Sequence, residues 1–108
     1  MKLDQARRYA LSLPETVEQP HFDYASFRVG GKIFATAPPS GEYLHVFVGE
    51  EQRERALALE PGATEKLFWG KRAIGLRIAL KDAKPALVEG LLSQAWREKA
   101  PKRLQVRD

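Results

Sequence analysis

The chain has 108 residues, of which 44% are hydrophobic, so we expect a single domain over residues 1–108 with one two-layer core. It contains no cysteine, which excludes disulfides, thiol catalysis and thiolate metal sites. Its apolar runs are only a few residues long, so we expect no membrane-spanning helix and no membrane partner.

The charge is unevenly distributed along the chain. Residues 1–60 hold 7 Lys/Arg and 9 Asp/Glu, a formal −2, whereas residues 61–108 hold 11 and 5, a formal +6. The basic half can attract polyanions such as nucleic acid, although such charges also simply keep helix faces solvated. The N-terminus lacks the apolar segment of a secretory signal, and together with the missing cysteines this leads us to expect a cytoplasmic protein.

The first predicted element is a helix. Asp4 is a plausible N-cap, and Pro14 ends the helix near Leu13. The apolar positions that recur at helical spacing are Leu3, Ala6, Tyr9, Ala10 and Leu13. The acidic stretch 15–21 that follows is interpreted as a connector.

A β-hairpin is the strongest local signal in the chain. Two alternating runs flank Gly30-Gly31, a pair that reaches the positive φ values of a tight two-residue turn. Pairing Val29 with Lys32 then places Phe27 opposite Phe34 on one face, which we take as the core face.

A third strand is predicted over residues 43–48. It alternates an aliphatic set with an aromatic and histidine set, and we place the aliphatic set inward, with the reverse arrangement left open. The aliphatic residues are Leu44, Val46 and Val48, and the others are Tyr43, His45 and Phe47.

The second half reads as helix, two strands and helix. A short helix over residues 50–60 is broken by Pro61-Gly62, and strands over 64–69 and 74–80 flank the turn 70–72. Asp82 is the N-cap candidate for the last helix, which Pro101 stops, and a basic tail follows from about residue 101.

The order α-β-β-β-α-β-β-α predicts an α+β fold with two layers. We expect an antiparallel five-stranded sheet with all three helices on one face and the other face open. On this register the open face carries aromatic and arginine side chains, namely Arg28, Tyr43, His45, Phe47 and Arg77.

With these elements placed, the chain resembles the MmcQ/YjbR family of small bacterial proteins from about residue 3 to residue 104. The block of residues 26–35 is the specific part, and Trp69-Gly70 before an alternating strand agrees with it. The earlier matching pieces are Leu11-Ser12-Leu13-Pro14-Glu15-Thr16-Val17-Glu18 and Pro20-His21-Phe22. The resemblance implies a two-layer α+β fold similar to secretion-chaperone and frataxin architectures. It also implies DNA binding, and it implies neither a catalytic constellation nor a cofactor.

Side chains with catalytic or metal-binding potential do not form a recognisable pattern. His21, Asp23 and Glu18 lie close in sequence, but the only other imidazole is His45, and metal sites usually need three or four ligands. The serines have no nucleophile-elbow context, and Gly30-Gly31 does not open a phosphate-binding helix. We therefore expect a protein that is not an enzyme and has no metal or cofactor.

The large aromatic side chains are expected to fill the core. They are Phe27, Phe34, Phe68, Trp69 and Trp96. For Trp69 an exposed position is left open. It lies beside Lys71 and Arg72, and an exposed indole there would stack on a base or anchor a partner.

The leading functional hypothesis is sequence-nonspecific binding of double-stranded DNA through basic hairpin turns. The candidate phosphate contacts are Arg28, Lys32, Lys66, Lys71, Arg72, Arg77, Lys102 and Arg103. The alternative is a protein-binding module, chaperone-like or homodimeric, that uses the open sheet face or an edge strand.

Overall fold

The computed structural model describes residues 1–105, which form three helices and six strands. The helices are α1 (Leu3–Ser12), α2 (Glu50–Leu59) and α3 (Pro85–Lys99), and a short 3₁₀ turn covers Lys102–Leu104. The strands are β1 (Val17–His21), β2 (Tyr24–Val29), β3 (Lys32–Ala37), β4 (Tyr43–Val46), β5 (Thr64–Trp69) and β6 (Arg72–Ala79). The last three residues of the predicted basic tail, 106–108, lie outside the described residues.

The six strands form one antiparallel sheet in the order β1-β2-β3-β4-β6-β5. The α+β class is confirmed, but the predicted count of five strands is wrong. The strand that the sequence did not reveal is β1, which lies in the stretch interpreted as a connector. All five of its residues are exposed, so it carries no apolar alternation, and Pro20 is tolerated there because β1 lies at the sheet edge.

The Gly30-Gly31 hairpin forms as predicted, with one irregularity. Gly30 and Gly31 have φ of +58° and +79°, and Val29 pairs with Lys32. A bulge then makes Phe34 an extra residue on β3, so that Phe27 pairs with Ala35 instead of Phe34. The bulge allows the consecutive residues Phe34 and Ala35 both to be fully buried.

The helices cover the face that carries the aliphatic residues of β4, as predicted. Leu44 and Val46 are buried there beside Ile78 and Leu76 of β6. Helix α3 packs on β3 and β4, α1 contacts α3, and α2 lies against β5. The opposite face of the sheet has no helix over it within the described chain.

Two predicted helix caps are wrong. Lys2 and Lys84, not Asp4 and Asp82, are the N-cap residues of α1 and α3. Carboxamide and carboxylate groups satisfy the free backbone N–H groups instead: the Gln5 side chain accepts from Lys2, and Glu60 accepts from Lys84.

A second bulge makes Ile74 the extra residue of β6, opposite the Leu67–Phe68 step of β5. The next residue, Gly75, is buried against the chain leaving β4, and a Cβ there would clash with the carbonyl oxygen of Val46 and lie 3.0 Å from Phe47 Cα. Only glycine allows this close approach without movement of one of the two strands.

The described part of the chain has no helix that is both long and apolar enough to cross a membrane.

Candidate functional site

The antiparallel topology places the two basic hairpin turns at the same end of the sheet. Strands β2 and β5 both run toward that end, so the turns at Gly30-Gly31 and Gly70-Lys71 project from it side by side with the end of β4 between them. The β1–β2 turn, which contains Phe22, and the start of α3 lie at the opposite end.

The C-terminal end of α3 reaches the same end of the sheet. The Glu98 carboxylate accepts a hydrogen bond of 3.1 Å from the backbone N–H of Gly49, which follows β4. Pro101 lies against the first hairpin, since a Cβ on Gly30 would be 3.0 Å from Pro101 Cδ. A shallow pocket of about 300 Å³ there has both Arg72 and Lys99 in its lining.

We call this region the basic end, defined by five cations that come from three separate segments. They are Lys32, Lys71, Arg72, Lys99 and Lys102. Within residues 1–105, none of the five forms an ion pair. Three carboxylates lie at the same end and partly offset this positive charge. Glu50 and Glu51 are in the first turn of α2, and Glu98 accepts the hydrogen bond from Gly49.

Four predicted phosphate contacts do not join the basic end. Lys66 pairs in register with Leu76, so it points to the helical face, where its ammonium lies 3.2 Å from Glu54 of α2. Arg103 donates two hydrogen bonds, of 2.9 and 2.8 Å, to Glu15. That contact lowers the pKa of the Glu15 carboxyl and raises the pKa of Arg103.

Arg28 and Arg77 lie on the open face, as predicted, but both are held there by local contacts. Arg28 donates to Ser26 Oγ at 3.0 Å and to the carbonyl of Pro20 at 3.4 Å. The Arg77 guanidinium lies 3.8 Å from the centre of the Tyr43 ring, and its Nε is 3.9 Å from a Glu65 oxygen. Both guanidinium groups are therefore already engaged by contacts within the sheet.

A row of polar side chains crosses the open face through all six strands. Cross-strand pairing places its members side by side in the order Gln19, Ser26, Thr36, His45, Arg77 and Glu65. Three of them, Ser26, Thr36 and His45, are buried although no helix covers this face.

His45 occupies the middle of this row and is only 8% exposed. Burial lowers the pKa of its imidazole, and the neighbouring Arg77 charge lowers it further. Its Nε2 is buried and has no hydrogen-bond partner within the described residues.

Aromatic and aliphatic side chains flank the row and form a groove of about 340 Å³, which we call the aromatic groove. Its principal lining residues are Tyr24, Ile33, Phe47, Phe68, Trp69 and Ile74. Phe68 is 55% exposed, so its expected place in the core is wrong, and Trp69, which the sequence left open, is 77% exposed. Phe27, Phe34 and Trp96 are buried as predicted.

The groove was not predicted, because aromatic side chains were assigned to the core by residue type. Trp69 stands on β5, which lies at the sheet edge, and an edge strand leaves exposed side chains that a central strand would bury. The sequence does mark this position through Lys71 and Arg72, which follow Trp69 in the turn.

Among residues 1–105, no group of three or more His, Asp or Glu side chains is placed to hold a metal ion.

A protein-family model described as YjbR matches residues 11–98. The chain belongs to the YjbR family. The resemblance carried by the hairpin of residues 26–35 is thereby confirmed.

Among solved structures, the chain is similar to the crystal structure of Deinococcus radiodurans protein DR2400, which contains the family-model domain DUF419. The TM-score is 0.76 at 19% identity, covering 99% of this chain and 90% of that one, so this likeness concerns the fold. A search of curated proteins found no significant match.

Proposed function

We propose that this YjbR protein is a non-enzymatic nucleic-acid-binding protein that holds the phosphate backbone of DNA at its basic end. The observation that carries the proposal is the convergence of five cations from β3, the β5–β6 turn and the end of α3 at one end of the sheet. Their grouping supports contact with phosphates, because residues distant in sequence contribute positive charge at one end of the fold.

Lysine and arginine ammonium and guanidinium groups neutralise phosphates and release their counterions, which gives affinity without reading bases. Lys71 and Arg72 are exposed at the β5–β6 turn, where Gly70 has φ of +62°, so a phosphate can reach both. We therefore expect binding with little sequence preference and a steep dependence on salt. The predicted contacts at Lys32, Lys71, Arg72 and Lys102 remain in this proposal, and Lys99 is added to them.

The test is charge reversal at the two ends of the molecule. Lys71→Glu combined with Arg72→Glu should weaken duplex binding about tenfold or more and reduce the salt slope by about 2, since each removed phosphate contact lowers it by about 1. Fluorescence anisotropy of labelled duplex DNA across a salt series measures both quantities.

The matched control is Lys81→Glu combined with Lys84→Glu. It changes the net charge by the same amount at the opposite end of the sheet, where both lysines are exposed. An equal loss in both double variants would mean that net charge alone governs binding, and unchanged affinity in the Lys71/Arg72 variant would remove the basic end from the interface.

A protein partner is the second candidate, and a specific observation favours it. β5 is an edge strand, and its outer backbone groups have no strand partner within the described chain. Unlike β1, which carries Pro20, β5 has no proline to block strand addition. The secretion-chaperone likeness expected from the family resemblance also fits this use.

Lys66→Pro tests this candidate by blocking the exposed edge of β5. If the protein self-associates through β5, sedimentation velocity should show a concentration-dependent dimer that the proline variant loses. A wild-type protein that stays monomeric at every concentration would exclude homodimerisation through this edge.

A further inference from the structure

We propose that the aromatic groove binds the bases of single-stranded nucleic acid, so that unpaired bases stack on the open sheet face while their phosphates contact the basic end. This inference rests on the proposed nucleic-acid function and adds the strand type and a second contact surface. It makes Trp69 a ligand-contacting residue rather than a core residue.

The first support is the exposure of flat side chains at one edge of the groove. Trp69 is 77% exposed and, by strand alternation, lies on the same face of β5 as Glu65, the end member of the polar row. Phe47 and Tyr24 line the same groove. Exposed aromatic rings on an antiparallel sheet are stacking platforms for bases, which every nucleotide can use because every base has a π-face.

The second support is that the groove and the basic end are continuous. Ile33, Phe47 and Ile74 line both the aromatic groove and the pocket that contains Arg72 and Lys99. Trp69 is also the direct cross-strand partner of Arg72, and Lys71 lies in the turn between them. A base stacked on Trp69 therefore has cations next to it for its own phosphate.

The third support is the charge of the groove. Its lining contains no carboxylate and includes two imidazoles, His21 and His45. An acidic groove would repel a polyanion, and a purely aliphatic one would not distinguish a base from any other apolar group. The aromatic groove is compatible with a polyanion and offers flat surfaces to its bases.

The floor of the groove is partly polar. Thr36 and His45 both line it and are buried members of the polar row. His45 Nε2 has no hydrogen-bond partner within the described residues, but it is itself buried, so a base would reach it only if neighbouring side chains moved.

A duplex cannot use this surface, since its bases are paired and stacked inside the helix. We therefore expect a short oligothymidine to bind more tightly than a duplex of equal phosphate number. An abasic oligonucleotide of the same length isolates the phosphate contribution, because it keeps the charges and lacks the bases.

Tryptophan fluorescence reports the contact directly. Trp96 is only 8% exposed and its indole N–H donates to the carbonyl of Pro14, so Trp69 is the indole that a ligand can reach. In a Trp96→Phe protein, oligothymidine should quench the remaining emission, whereas the abasic oligonucleotide should not.

The affinity test uses Trp69→Ala, with Leu59→Ala as the control. Leu59 is a 65% exposed apolar side chain at the end of α2, and it lines neither the aromatic groove nor the pocket at the basic end. Removing Trp69 should weaken oligothymidine binding roughly five- to hundredfold and leave abasic binding unchanged, because stacking alone is lost. Trp69→Phe should restore part of the affinity, and Leu59→Ala should bind like the wild type.

The outcomes separate the two proposals. Equal affinity for oligothymidine and the abasic strand, or binding without quenching of Trp69, overturns base stacking and leaves phosphate binding at the basic end intact. Failure of both strands and of duplex DNA to bind at low salt overturns the proposed function together with this inference. A dimer in sedimentation that shields Trp69 from acrylamide would also overturn it, because a second copy would then occupy the groove.

Discussion

Gly75 lies where β6 passes closest to the chain leaving β4, and we expect it to tolerate no side chain. Gly75→Ala should destabilise the protein by about 1–3 kcal/mol, the usual cost of forcing extra atoms into a packed site. Gly90, an exposed position inside α3 with open space around its Cα, is the matched control. Gly90→Ala should instead stabilise by about 0.5–1 kcal/mol, because it removes glycine's flexibility from a helix.

Urea unfolding of the two variants measures both effects. A Gly75→Ala protein as stable as the wild type would mean that β4 and β6 separate easily there and that the close approach is not required.

His45 should make the protein less stable in acid. Burial holds the pKa of its imidazole below the ordinary value of about 6.5, so between the two values the unfolded chain binds more protons than the folded one. The stability that comes from keeping His45 neutral is therefore complete above the pKa of the unfolded chain. It is lost as the pH falls from that value through the lower pKa of the folded protein. Arg77 beside the ring adds to the effect, and Glu65, the nearest carboxylate in the row, opposes it.

The comparison protein is His45→Gln, which keeps a polar side chain and cannot titrate. Unfolding free energies measured from neutral to mildly acidic pH should fall more steeply for the wild type than for His45→Gln. Parallel curves would show that other groups cause the acid sensitivity.

At the scale of elements, β1 is attached to the sheet by hydrogen bonds rather than by burial. Its five side chains are exposed, and the Ser26 hydroxyl donates a 2.7 Å bond to the carbonyl of Gln19. We expect β1 to open locally at lower free energy than the central strands β3, β4 and β6, since little apolar surface is lost when it leaves.

Ser26→Ala should lower the local stability of β1 by about 1–2 kcal/mol, because it removes both the hydrogen bond donated to Gln19 and the one accepted from Arg28. Amide hydrogen exchange should therefore accelerate in β1 and remain unchanged in β4. Ser40→Ala, in the β3–β4 loop, serves as the control and should leave β1 exchange unaltered. Protection of β1 equal to that of β4 in the wild type would contradict the local opening.

The elements themselves were predictable to different degrees for physical reasons. Helices α1 and α3 carry apolar periodicity, and the β2–β3 hairpin has its turn glycines. Helix α2 has no clear periodicity and is marked instead by its acidic start and by Pro61-Gly62 after it. The sequence predicts all of these within a few residues. β1 has no apolar alternation and no turn glycine, because its side chains are exposed. The bulges at Phe34 and Ile74 each shift the strand pairing by one residue, and the alternation of apolar residues does not predict such a shift. The capping groups were also not predicted. Gln5, inside α1, accepts the hydrogen bond from the backbone N–H of Lys2. Glu60, far away in sequence, accepts the one from Lys84 at the start of α3.

At the scale of the whole molecule, the candidate site depends on strand order more than on local sequence. After β4, helix α2 crosses to the edge of the sheet, where the chain forms β5. The next strand, β6, then fills the place between β5 and β4 and pairs with both. This order brings Arg72 beside Lys99 and leaves Trp69 exposed on the edge strand. The individual cations could be predicted from the sequence, but their convergence could not. Lys66 was misplaced for the same reason, because its face depends on its register with Leu76.

The Pro101–Gly30 contact also decides where the protein can be labelled. The N-terminal ammonium group donates to the carbonyl of Leu80, at the end of the sheet away from the basic turns. Residue 101, in contrast, packs directly beside Gly30. A fluorophore, affinity tag or surface tether added at the N-terminus leaves both the cations and the aromatic groove accessible. The same addition after residue 105 begins next to the basic end, where it would compete with an incoming strand.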